Sequence, residues 1–271
     1  MILINGEVNK EISATDRGLH YGDGLFETIA CINGKPRLWP AHMARLQRGC
    51  EVLGLPQPDT EQLYHEVCSL CRDQARAVVK LIYTRGSGGR GYRPPHVMVP
   101  QRLLLSYPWP DYSDSAGGIR LRLCDTPLAC NPVLAGIKHL NRLEQVMARA
   151  EWDDATTHEG LMCDLDGWVK EGTMSNLFWV SGDTLHTPDL SRCGVAGVMR
   201  DQVMVEAGRI GIEVKLAEIE AEGLVQVDEI FMTNSLVGIW PVAEYAGHRF
   251  AAGRVTARLQ AALQQSLESF E

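Results

Sequence analysis

The sequence predicts a mixed α/β protein of two lobes with a cleft between them. The chain has 271 residues, which is more than a single domain usually holds. Helix-like and strand-like apolar patterns alternate along the chain instead of forming separate blocks. Residues 111–118 are dense in turn-forming residues and are the best candidate for a linker. We therefore expect a small α/β domain at 1–110 and a larger α/β domain at 119–271.

The elements of the first domain are predicted from the spacing of its apolar residues. Apolar residues at intervals of three and four are typical of a helix with one buried face, and short apolar runs bounded by turn residues are typical of strands. The predicted strands are 1–8, 25–33, 78–84 and 101–107. The predicted helices are 41–54 and 60–76.

The second domain begins with a predicted strand at 119–125, a loop at 126–132 and a helix at 141–151. Asn141 is the expected N-cap of this helix, and Glu144 is placed to complete a capping box. The apolar residues of the helix repeat at intervals of three and four and predict one buried face: Leu140, Leu143, Val146, Met147 and Ala150.

Beyond that helix the sequence predicts a hairpin at 160–180. Its turn is expected at Asp166-Gly167, a dipeptide suited to positive φ. The remaining predicted elements are a helix near 198–210, strands near 228–234 and 241–245, and a terminal helix near 253–268.

The composition is that of an ordinary globular enzyme, with 45% hydrophobic and 22% charged residues. A net charge of −8 argues against nucleic acid as a general partner, so an anionic ligand would need a local cluster of arginines. The N-terminus lacks signal-peptide features, and no apolar stretch approaches the roughly 20 residues that span a bilayer. The eight cysteines lack the second ligand pair of a zinc site, so we expect reduced thiols, no metal and a cytoplasmic location.

Lys138 ends an apolar run that begins at Val133, just before the predicted helix. A lysine among apolar neighbours has a lowered pKa, and its neutral amine is a nucleophile toward carbonyl groups. The alternative, which spacing alone favours, is a lysine whose stem packs on the core while its ammonium group reaches water.

The segment Gly86–Gly91 matches the pattern G-x-G-x-x-G and follows a predicted strand. A dinucleotide site also needs a helix that opens at the last glycine, and Pro94-Pro95 cannot open one, so we reject that interpretation. The segment carries Arg85, Arg90 and Arg93. It is either a solvated surface loop, which the spacing favours, or a cationic wall that faces an anionic substrate.

Two segments offer groups that could bind a phosphate. Gly194–Arg200 leads into a predicted helix, whose first backbone amides and dipole form an anion site. Thr233–Ser235 ends an apolar strand and offers two hydroxyls and an amide. Each feature is common alone, but together with an activated lysine they indicate an aldehyde cofactor that carries a phosphate.

Several blocks of sequence, spread along nearly the whole chain, match the motifs of a known group of enzymes in the same order. They are Asp16–Gly18, Tyr21–Thr28, His42–Leu46, Arg85–Tyr92, Ala135–Val146, Glu171–Phe178 and Gly197–Arg200. In these blocks the chain resembles the fold-type IV pyridoxal-phosphate enzymes, the group of branched-chain and D-amino-acid aminotransferases. Within that group it is most similar to the 4-amino-4-deoxychorismate lyases, through the blocks that contain Lys138 and Arg90.

The resemblance implies a site for pyridoxal 5'-phosphate. Lys138 matches the lysine that binds the aldehyde of the cofactor, and Glu171 matches the carboxylate that keeps the pyridine nitrogen protonated. Arg45 matches the arginine that pairs with the cofactor phosphate. The remaining phosphate contacts that the resemblance implies are the amides of Val198 and Met199 and the side chains of Asn234 and Ser235.

The resemblance also implies a reaction, in which 4-amino-4-deoxychorismate yields 4-aminobenzoate and pyruvate while Lys138 moves a proton. Thr28 lies where the similar aminotransferases tend to carry glycine. Its hydroxyl is a candidate proton donor to the departing enolpyruvyl group, or else a strand hydroxyl bonded to a backbone carbonyl. Arg85 and Arg90 are candidates for binding the two carboxylates of this small anionic substrate.

Two alternative functions stay open at this point. A branched-chain or D-amino-acid aminotransferase of the same fold would share the lysine chemistry, and a ligand-binding protein of this fold would lack catalysis. The Arg85–Tyr92 block and Thr28 favour the lyase. The resemblance further implies a homodimer and a cofactor held in the cleft between the lobes.

Overall fold

The computed structural model describes residues 1–115, 117–251 and 253–268, which form a mixed α/β fold. The chain divides into two compact units. Of the described residues, unit 1 contains Met1–Pro110 together with Ile137–Asn141, and unit 2 contains residues 111–136 and 142–268. The short segment Ile137–Asn141 therefore belongs with the first unit, although the predicted boundaries place it in the second domain.

Unit 1 is built on one six-stranded antiparallel sheet with helices. Its elements are β1 (Ile2–Ile4), β2 (Glu7–Val8), α1 (Arg17–Tyr21), β3 (Gly24–Ile32), β4 (Lys35–Pro36), α2 (Trp39–Leu53), α3 (Thr60–Cys71), β5 (Arg76–Thr84) and β6 (Gln101–Pro108). The strand order is β2-β1-β6-β5-β3-β4. The pair β3–β5 is in register along its whole length, from Gly24 opposite Thr84 to Ile32 opposite Arg76.

The helices of unit 1 begin and end where local chemistry sets their limits. α3 starts at Asp59, whose carboxylate accepts hydrogen bonds from the amides of Glu61 and Gln62. It stops at Cys71, earlier than the predicted residue 76, because the Gln74 amide turns back to the Cys71 carbonyl before β5 begins. The predicted helix at 60–76 was therefore too long at its end.

Unit 2 is built on a nine-stranded mixed sheet. Its elements are a 3₁₀ helix (Ser113–Ser115), β7 (Ile119–Leu123), α4 (Leu143–Arg149), β8 (Glu159–Cys163), β9 (Val169–Gly172), β10 (Asn176–Ser181), β11 (Thr184–Thr187), α5 (Val198–Arg209), β12 (Val214–Leu216), a second 3₁₀ helix (Ala221–Gln226), β13 (Glu229–Asn234), β14 (Gly238–Tyr245), β15 (His248–Arg249) and α6 (Arg254–Glu268). The order is β12-β11-β10-β13-β14-β7-β8-β9, and β15 pairs with β14.

An additional pairing between β9 and β10 closes part of this sheet into a ring of six strands. Such closure removes the exposed edges that an open sheet would have. A cluster of fully buried apolar side chains fills unit 2: it includes Leu161, Val169, Leu177, Leu224 and Met232. β9, which carries Glu171, is therefore held between two neighbouring strands.

Several predicted elements of unit 2 are confirmed, namely the helices near 198–210 and 253–268 and the strands near 228–234 and 241–245. The turn at Asp166-Gly167 is also confirmed, since Gly167 has φ of +90°. The predicted hairpin at 160–180, however, contains the three strands β8, β9 and β10. The strands absent from the prediction are β4, β11, β12 and β15, which have only two to four residues each.

The start of α4 differs from the prediction. Asn141 is not the N-cap, because its side-chain amide donates to the Gly22 carbonyl at 3.2 Å within unit 1. The helix begins at Leu143 after Arg142, and no side-chain hydrogen bond caps it among the described residues. Glu144 accepts a hydrogen bond from the Ala129 amide at 3.2 Å, so the predicted capping box was wrong.

The predicted buried face of α4 was also wrong. Leu143, Val146 and Met147 are 70%, 62% and 54% exposed, and only Ala148 of this helix is buried. The apolar repeat correctly indicated a helix, but periodicity does not tell which surface covers the apolar side. Among the described residues, no helix combines the length and the apolar character needed to cross a bilayer.

Candidate active site

Lys138 lies in a short extended segment that adds to the edge of β3. The Phe26 amide donates to the Lys138 carbonyl at 2.9 Å, and the Leu140 amide donates to the Gly24 carbonyl at 3.0 Å. The Lys138 ammonium nitrogen lies 4.4 Å from the centre of the Phe26 ring, and the residue is half-buried. These backbone bonds explain why the segment belongs to unit 1, and they place the amine against an aromatic face.

Successive side chains of β3 point to opposite faces of the sheet. Phe26 and Thr28 are both half-buried, two residues apart, so they share the face that Phe26 presents to Lys138. Glu27 points the other way and is buried against α2. The structure therefore brings Thr28 and Lys138 to the same face of unit 1.

Arg45 is paired with Glu27, a partner that the sequence analysis missed. The Arg45 Nε donates to one oxygen of Glu27 at 2.8 Å, and its Nη2 donates to the other. His42 Nδ1 lies 2.7 Å from the same second oxygen, and all three side chains are buried. The available signal was a lone carboxylate inside the apolar run of β3, because a buried charge is rarely left without a partner.

The charge states in this cluster are set by burial and by the hydrogen bonds among Glu27, Arg45 and His42. Burial alone would raise the pKa of Glu27, but the charge and hydrogen bonds of Arg45 and His42 lower it to about 2. Burial lowers the pKa of His42, more than Glu27 raises it, so the imidazole is neutral and its Nδ1–H donates to Glu27. Its buried Nε2 has no hydrogen-bond partner among the described residues.

Arg85 is committed to contacts inside unit 1. Its Nε donates to Asp23 at 2.8 Å, and its two terminal nitrogens donate to the carbonyls of Gly54 at 3.0 Å and Leu53 at 2.6 Å. Burial alone would raise the pKa of Asp23, and the hydrogen bonds and charges of Arg85 and Arg17 bring it below its ordinary value. Arg85 thus ties the end of α2 to the start of β3.

Arg17, which the sequence analysis also missed, anchors the glycine-rich loop. Its Nε donates to Asp23 at 2.8 Å, and its terminal nitrogens donate to the carbonyls of Gly91 and Tyr92 at 3.0 Å each. Arg90, one residue before this anchor, is exposed. The described chain from 86 to 100 contains no helix, as the pair Pro94-Pro95 predicts.

Glu171 lies in β9 of unit 2 and is only 4% exposed. One of its carboxylate oxygens accepts a hydrogen bond from the Val195 amide at 2.8 Å. Gly194 precedes Val195 with φ of +84°, and a Cβ there would lie 3.2 Å from the same oxygen. A glycine at this position thus lets the backbone approach the carboxylate closely.

Val198 and Met199 form the first turn of α5, next in the chain after Gly197. Gly197 is the N-cap, and no side-chain hydrogen bond caps this helix among the described residues. Because the first amides of a helix have no partner within it, an uncapped start of a 12-residue helix suits an anion. The start of α5 at 198–199, where the phosphate is predicted to bind, therefore has no side-chain cap among the described residues.

The segment around Val195 is tied to the chain that leads into Lys138. The Gly136 amide donates to the Gly194 carbonyl at 2.9 Å, and the Ala196 amide donates to the Gly136 carbonyl at 3.1 Å. Gly136 stands two residues before Lys138 in the sequence. These two bonds therefore hold Gly136 beside the segment that bonds Glu171, within unit 2.

The turn after β13 uses most of its polar groups internally. The Asn234 side-chain oxygen accepts the amides of Leu236 and Val237 at 3.0 and 3.1 Å, as in an Asx turn. The Thr233 hydroxyl donates to the Gly238 carbonyl at 2.6 Å. Asn234 and Ser235 are both half-buried in this turn.

One group of thiols and a carboxylate lies near these segments in unit 2. The ligand atoms of Cys130, Asp164 and Cys193 lie within 4.8 Å of one another. Lys170 Nζ is 3.4 Å from the free oxygen of Asp164, so that charge is already balanced, and three ligands fall short of the four that zinc takes. The group therefore does not by itself make a metal site.

Comparison with known proteins gives a consistent set of relatives. The family model for amino-transferase class IV matches residues 24–245. An aminodeoxychorismate lyase from Vibrio harveyi is 35% identical over 266 residues, which cover 96% of this chain and 98% of that protein.

Two solved structures give the same picture at the level of the fold. The crystal structure of 4-amino-4-deoxychorismate lyase from Pseudomonas aeruginosa superimposes with a TM-score of 0.94 at 47% identity, covering 99% of this chain and 100% of that one. A branched-chain aminotransferase from Escherichia coli has a TM-score of 0.86 at 25% identity, covering 98% and 94%.

Proposed function

Because the chain belongs to the amino-transferase class IV family, we propose that it is a pyridoxal-phosphate-dependent lyase. It converts 4-amino-4-deoxychorismate into 4-aminobenzoate and pyruvate, a step of folate biosynthesis. The observation that carries this proposal is the 47% identity, over almost the full length of both chains, with a structure of that lyase. The branched-chain aminotransferase from Escherichia coli is 25% identical, so the alternative that this chain is an aminotransferase has less support.

The residues present fit pyridoxal 5'-phosphate at each of its reactive ends. The uncapped start of α5 at Val198 and Met199 suits the phosphate, and Arg45 is the proposed cationic partner, although two of its nitrogens already bond Glu27. Lys138 offers a primary amine to the aldehyde, and Glu171 offers a buried carboxylate to the pyridine nitrogen. When bound, the cofactor supplies a ring that accepts electrons from the carbon that loses its proton.

Lys138 has two roles in this proposal. Its Nζ would hold the cofactor through the aldehyde, and with the substrate amine bound there instead, Nζ would accept the proton from the substrate ring carbon that bears nitrogen. The aromatic wall of Phe26 excludes water on one side of this amine. Lys138 is therefore the general base of the reaction as well as the attachment point.

Thr28 is the proposed proton donor at the other end of the reaction. As the bond between the ring carbon and the enolpyruvyl oxygen breaks, the Thr28 hydroxyl gives that oxygen a proton, and the ring becomes aromatic. The proton that Lys138 removed returns to the Thr28 oxygen, and the released enol becomes pyruvate when its hydroxyl proton moves to the methylene carbon. Substrate and products therefore contain the same atoms, and no further reactant is needed. The position of Thr28 on the face of β3 that carries Phe26 supports this role.

Arg90 is the proposed ligand for a substrate carboxylate. Arg90 is exposed on the glycine-rich loop, whereas Arg85 already has Asp23 and two carbonyls as partners. Arg85 and Arg17 hold the loop and its neighbours through their shared contact with Asp23. We therefore assign direct substrate contact to Arg90 and loop support to Arg85.

We further propose that the protein acts as a cytoplasmic homodimer. The exposed apolar side of α4, formed by Leu143, Val146 and Met147, is a surface that a second copy would cover. All eight cysteines are free thiols, which suits a reducing compartment.

The decisive experiment is an assay of purified protein with 4-amino-4-deoxychorismate and pyridoxal phosphate, without any amino acceptor. Release of pyruvate and 4-aminobenzoate in equal amounts supports the lyase. Conversion of a branched-chain keto acid that depends on glutamate, with no pyruvate release, would instead support the aminotransferase.

A second measurement assigns the attachment point. Borohydride should fix the yellow chromophore on the peptide that contains Lys138, and Lys138→Ala should lose both fixation and turnover. Lys80→Ala is the matched control, since its amine also faces the Phe26 ring, at 5.3 Å. Fixation that survives in Lys138→Ala would contradict the assignment.

A further inference from the structure

The point where the sheet of unit 2 closes on itself is also the point that carries Glu171. Asn176, the first residue of β10, stands opposite Glu171 of β9. Between β9 and β10 the chain reverses over the three residues 173–175, and the Gly172 amide donates to the Ser175 carbonyl at 2.7 Å. The position of the Glu171 carboxylate thus depends on the loop at 173–175.

A buried carboxylate that the proposed reaction does not use organises this loop. Glu159 is 0% exposed. One of its oxygens accepts the Thr173 amide at 3.0 Å and the Thr173 hydroxyl at 2.6 Å, together with its neighbouring Gly160 amide at 2.9 Å. Its other oxygen accepts the Met174 amide at 3.3 Å and the Ser175 hydroxyl at 2.6 Å. Three of these five partners are backbone amides, which can only donate, and each carboxylate oxygen faces at least one of them, so both positions require an acceptor.

The glycine next to Glu171 leaves room for this carboxylate. A Cβ at Gly172 would lie 2.9 Å from the Glu159 carboxyl carbon and 2.5 Å from the Ser175 hydroxyl. Glu159 therefore packs directly against the backbone of the residue that follows Glu171 in β9.

Asn176 joins this loop to the segment that bonds Glu171. Its side-chain nitrogen donates to the Val195 carbonyl at 2.8 Å, while the Val195 amide donates to Glu171. Its side-chain oxygen lies so close to Gly197 that a Cβ there would collide with it. Asn176 thus touches both the partner of Glu171 and the residue before the first turn of α5.

We propose that Glu159 is a positioning residue, which holds Glu171 at the distance from the start of α5 that the pyridine nitrogen and phosphate of the cofactor require. It acts through the loop at 173–175 and through Asn176. This inference rests on the proposed function, because it assigns the ring nitrogen to Glu171 and the phosphate to Val198 and Met199. Glu159 itself contacts neither the cofactor nor the substrate.

The test is Glu159→Gln, studied as the full chain loaded with pyridoxal phosphate. The substitution keeps the side-chain shape but turns an N–H group toward the Met174 amide or the Thr173 amide, and two donors repel. We expect the dissociation constant for pyridoxal phosphate to rise about tenfold, as loss of a hydrogen bond to a charged group predicts. The readout that distinguishes positioning from stability is the pH at which the bound chromophore changes colour.

That pH is the pKa of the nitrogen that joins Lys138 to the cofactor, and this pKa depends on whether the ring nitrogen carries a proton. A protonated ring withdraws electrons from the nitrogen that joins Lys138 to the cofactor and lowers its pKa. If Glu171 moves away, the ring loses its proton, and the midpoint of the colour change rises. Glu171→Gln provides the reference, and Glu159→Gln should shift the midpoint in the same direction.

The matched control is Glu229→Gln in the same unit. Glu229 is also buried, and it accepts the amides of Val255 and Thr256 at 2.9 and 2.7 Å and the Thr256 hydroxyl at 2.7 Å, at the start of α6. It should lower thermal stability without changing the affinity or the colour midpoint. If Glu159→Gln does not fold, Ser175→Ala, which removes one donor, should move the midpoint in the same direction by less.

The outcomes separate this inference from the proposed function. A parent protein that forms no chromophore at Lys138 would overturn the proposed function itself. A parent that forms it, with Glu159→Gln and Ser175→Ala matching Glu229→Gln in both affinity and midpoint, would overturn the positioning role alone. A raised dissociation constant together with a raised midpoint supports it.

Discussion

The glycine before α5 offers a test of the phosphate-binding helix start. Gly197 has φ of −71° and ψ of 136°, which alanine adopts without strain. The cost of Gly197→Ala is therefore steric, because the new methyl group would collide with the side-chain oxygen of Asn176. Asn176 has to turn away, and it then loses its hydrogen bond to the Val195 carbonyl.

The size of the effect follows from these contacts. Loss of one buried hydrogen bond costs about 1 kcal/mol of unfolding free energy. Crowding a packed site by one methyl group costs about 1–3 kcal/mol. We therefore expect Gly197→Ala to lose about 2–4 kcal/mol in total. We also expect a weaker hold on a phosphate at the start of α5.

The assay compares pyridoxal phosphate with pyridoxal, which lacks the phosphate, by titration and urea unfolding. Gly197→Ala should reduce the affinity for pyridoxal phosphate by more than the affinity for pyridoxal. Gly208→Ala is the control in the same helix: a Cβ there meets no atom within 4 Å, so it should add about 0.5–1 kcal/mol of stability and leave binding unchanged. Parental affinity for pyridoxal phosphate in Gly197→Ala would refute the reasoning.

Three further expectations concern other parts of the molecule. Arg45 and His42 overcome burial and hold the pKa of Glu27 at about 2, below its unfolded value near 4.5. Its contribution to the free energy of unfolding is therefore complete above pH 4.5 and is lost as the pH falls toward 2. Between pH 6 and pH 3, the free energy of unfolding in urea should fall by about 2 kcal/mol less for Glu27→Gln than for the parent. Arg90→Ala should raise KM for the substrate at unchanged thermal stability. Arg85→Ala should instead cost about 1.5–3 kcal/mol of stability, because half-buried Asp23 loses one of its two hydrogen bonds to arginine and keeps only Arg17; the opposite pattern would reverse the roles we assign. Leu143→Asp should produce monomers in light scattering, while Leu216→Asp, at a similarly exposed leucine, should not; dimers in both would contradict the proposed interface.

Apolar spacing predicted the long elements well and the short ones poorly. α5 and α6 were found within a residue or two because each repeats its pattern over three or more turns. Strands of two to four residues, such as β12, were missed because so few residues carry no readable period. Their pairing depends on neighbours that lie far away in the sequence.

The apolar side of α4 shows a second limit of sequence reasoning. Leu143, Val146 and Met147 have the spacing of a buried helix face, yet this face is exposed in the single chain. Burial by the same chain and burial by a second copy require the same residues at the same intervals. The pattern therefore indicates that something covers the face, and it does not say what.

From the sequence by itself came the proposed chemistry of the site, since motif order and residue type were enough to propose Lys138 as the amine and Glu171 as the carboxylate. Only the tertiary structure decided which side chains support them. Glu27 beside Arg45, and Glu159 behind the loop after Glu171, are single acidic residues within apolar strands. A charge becomes informative only when its partners are known, and those partners lie 14 to 18 residues away. Folding brings them together because a buried carboxylate without donors would be too costly to keep.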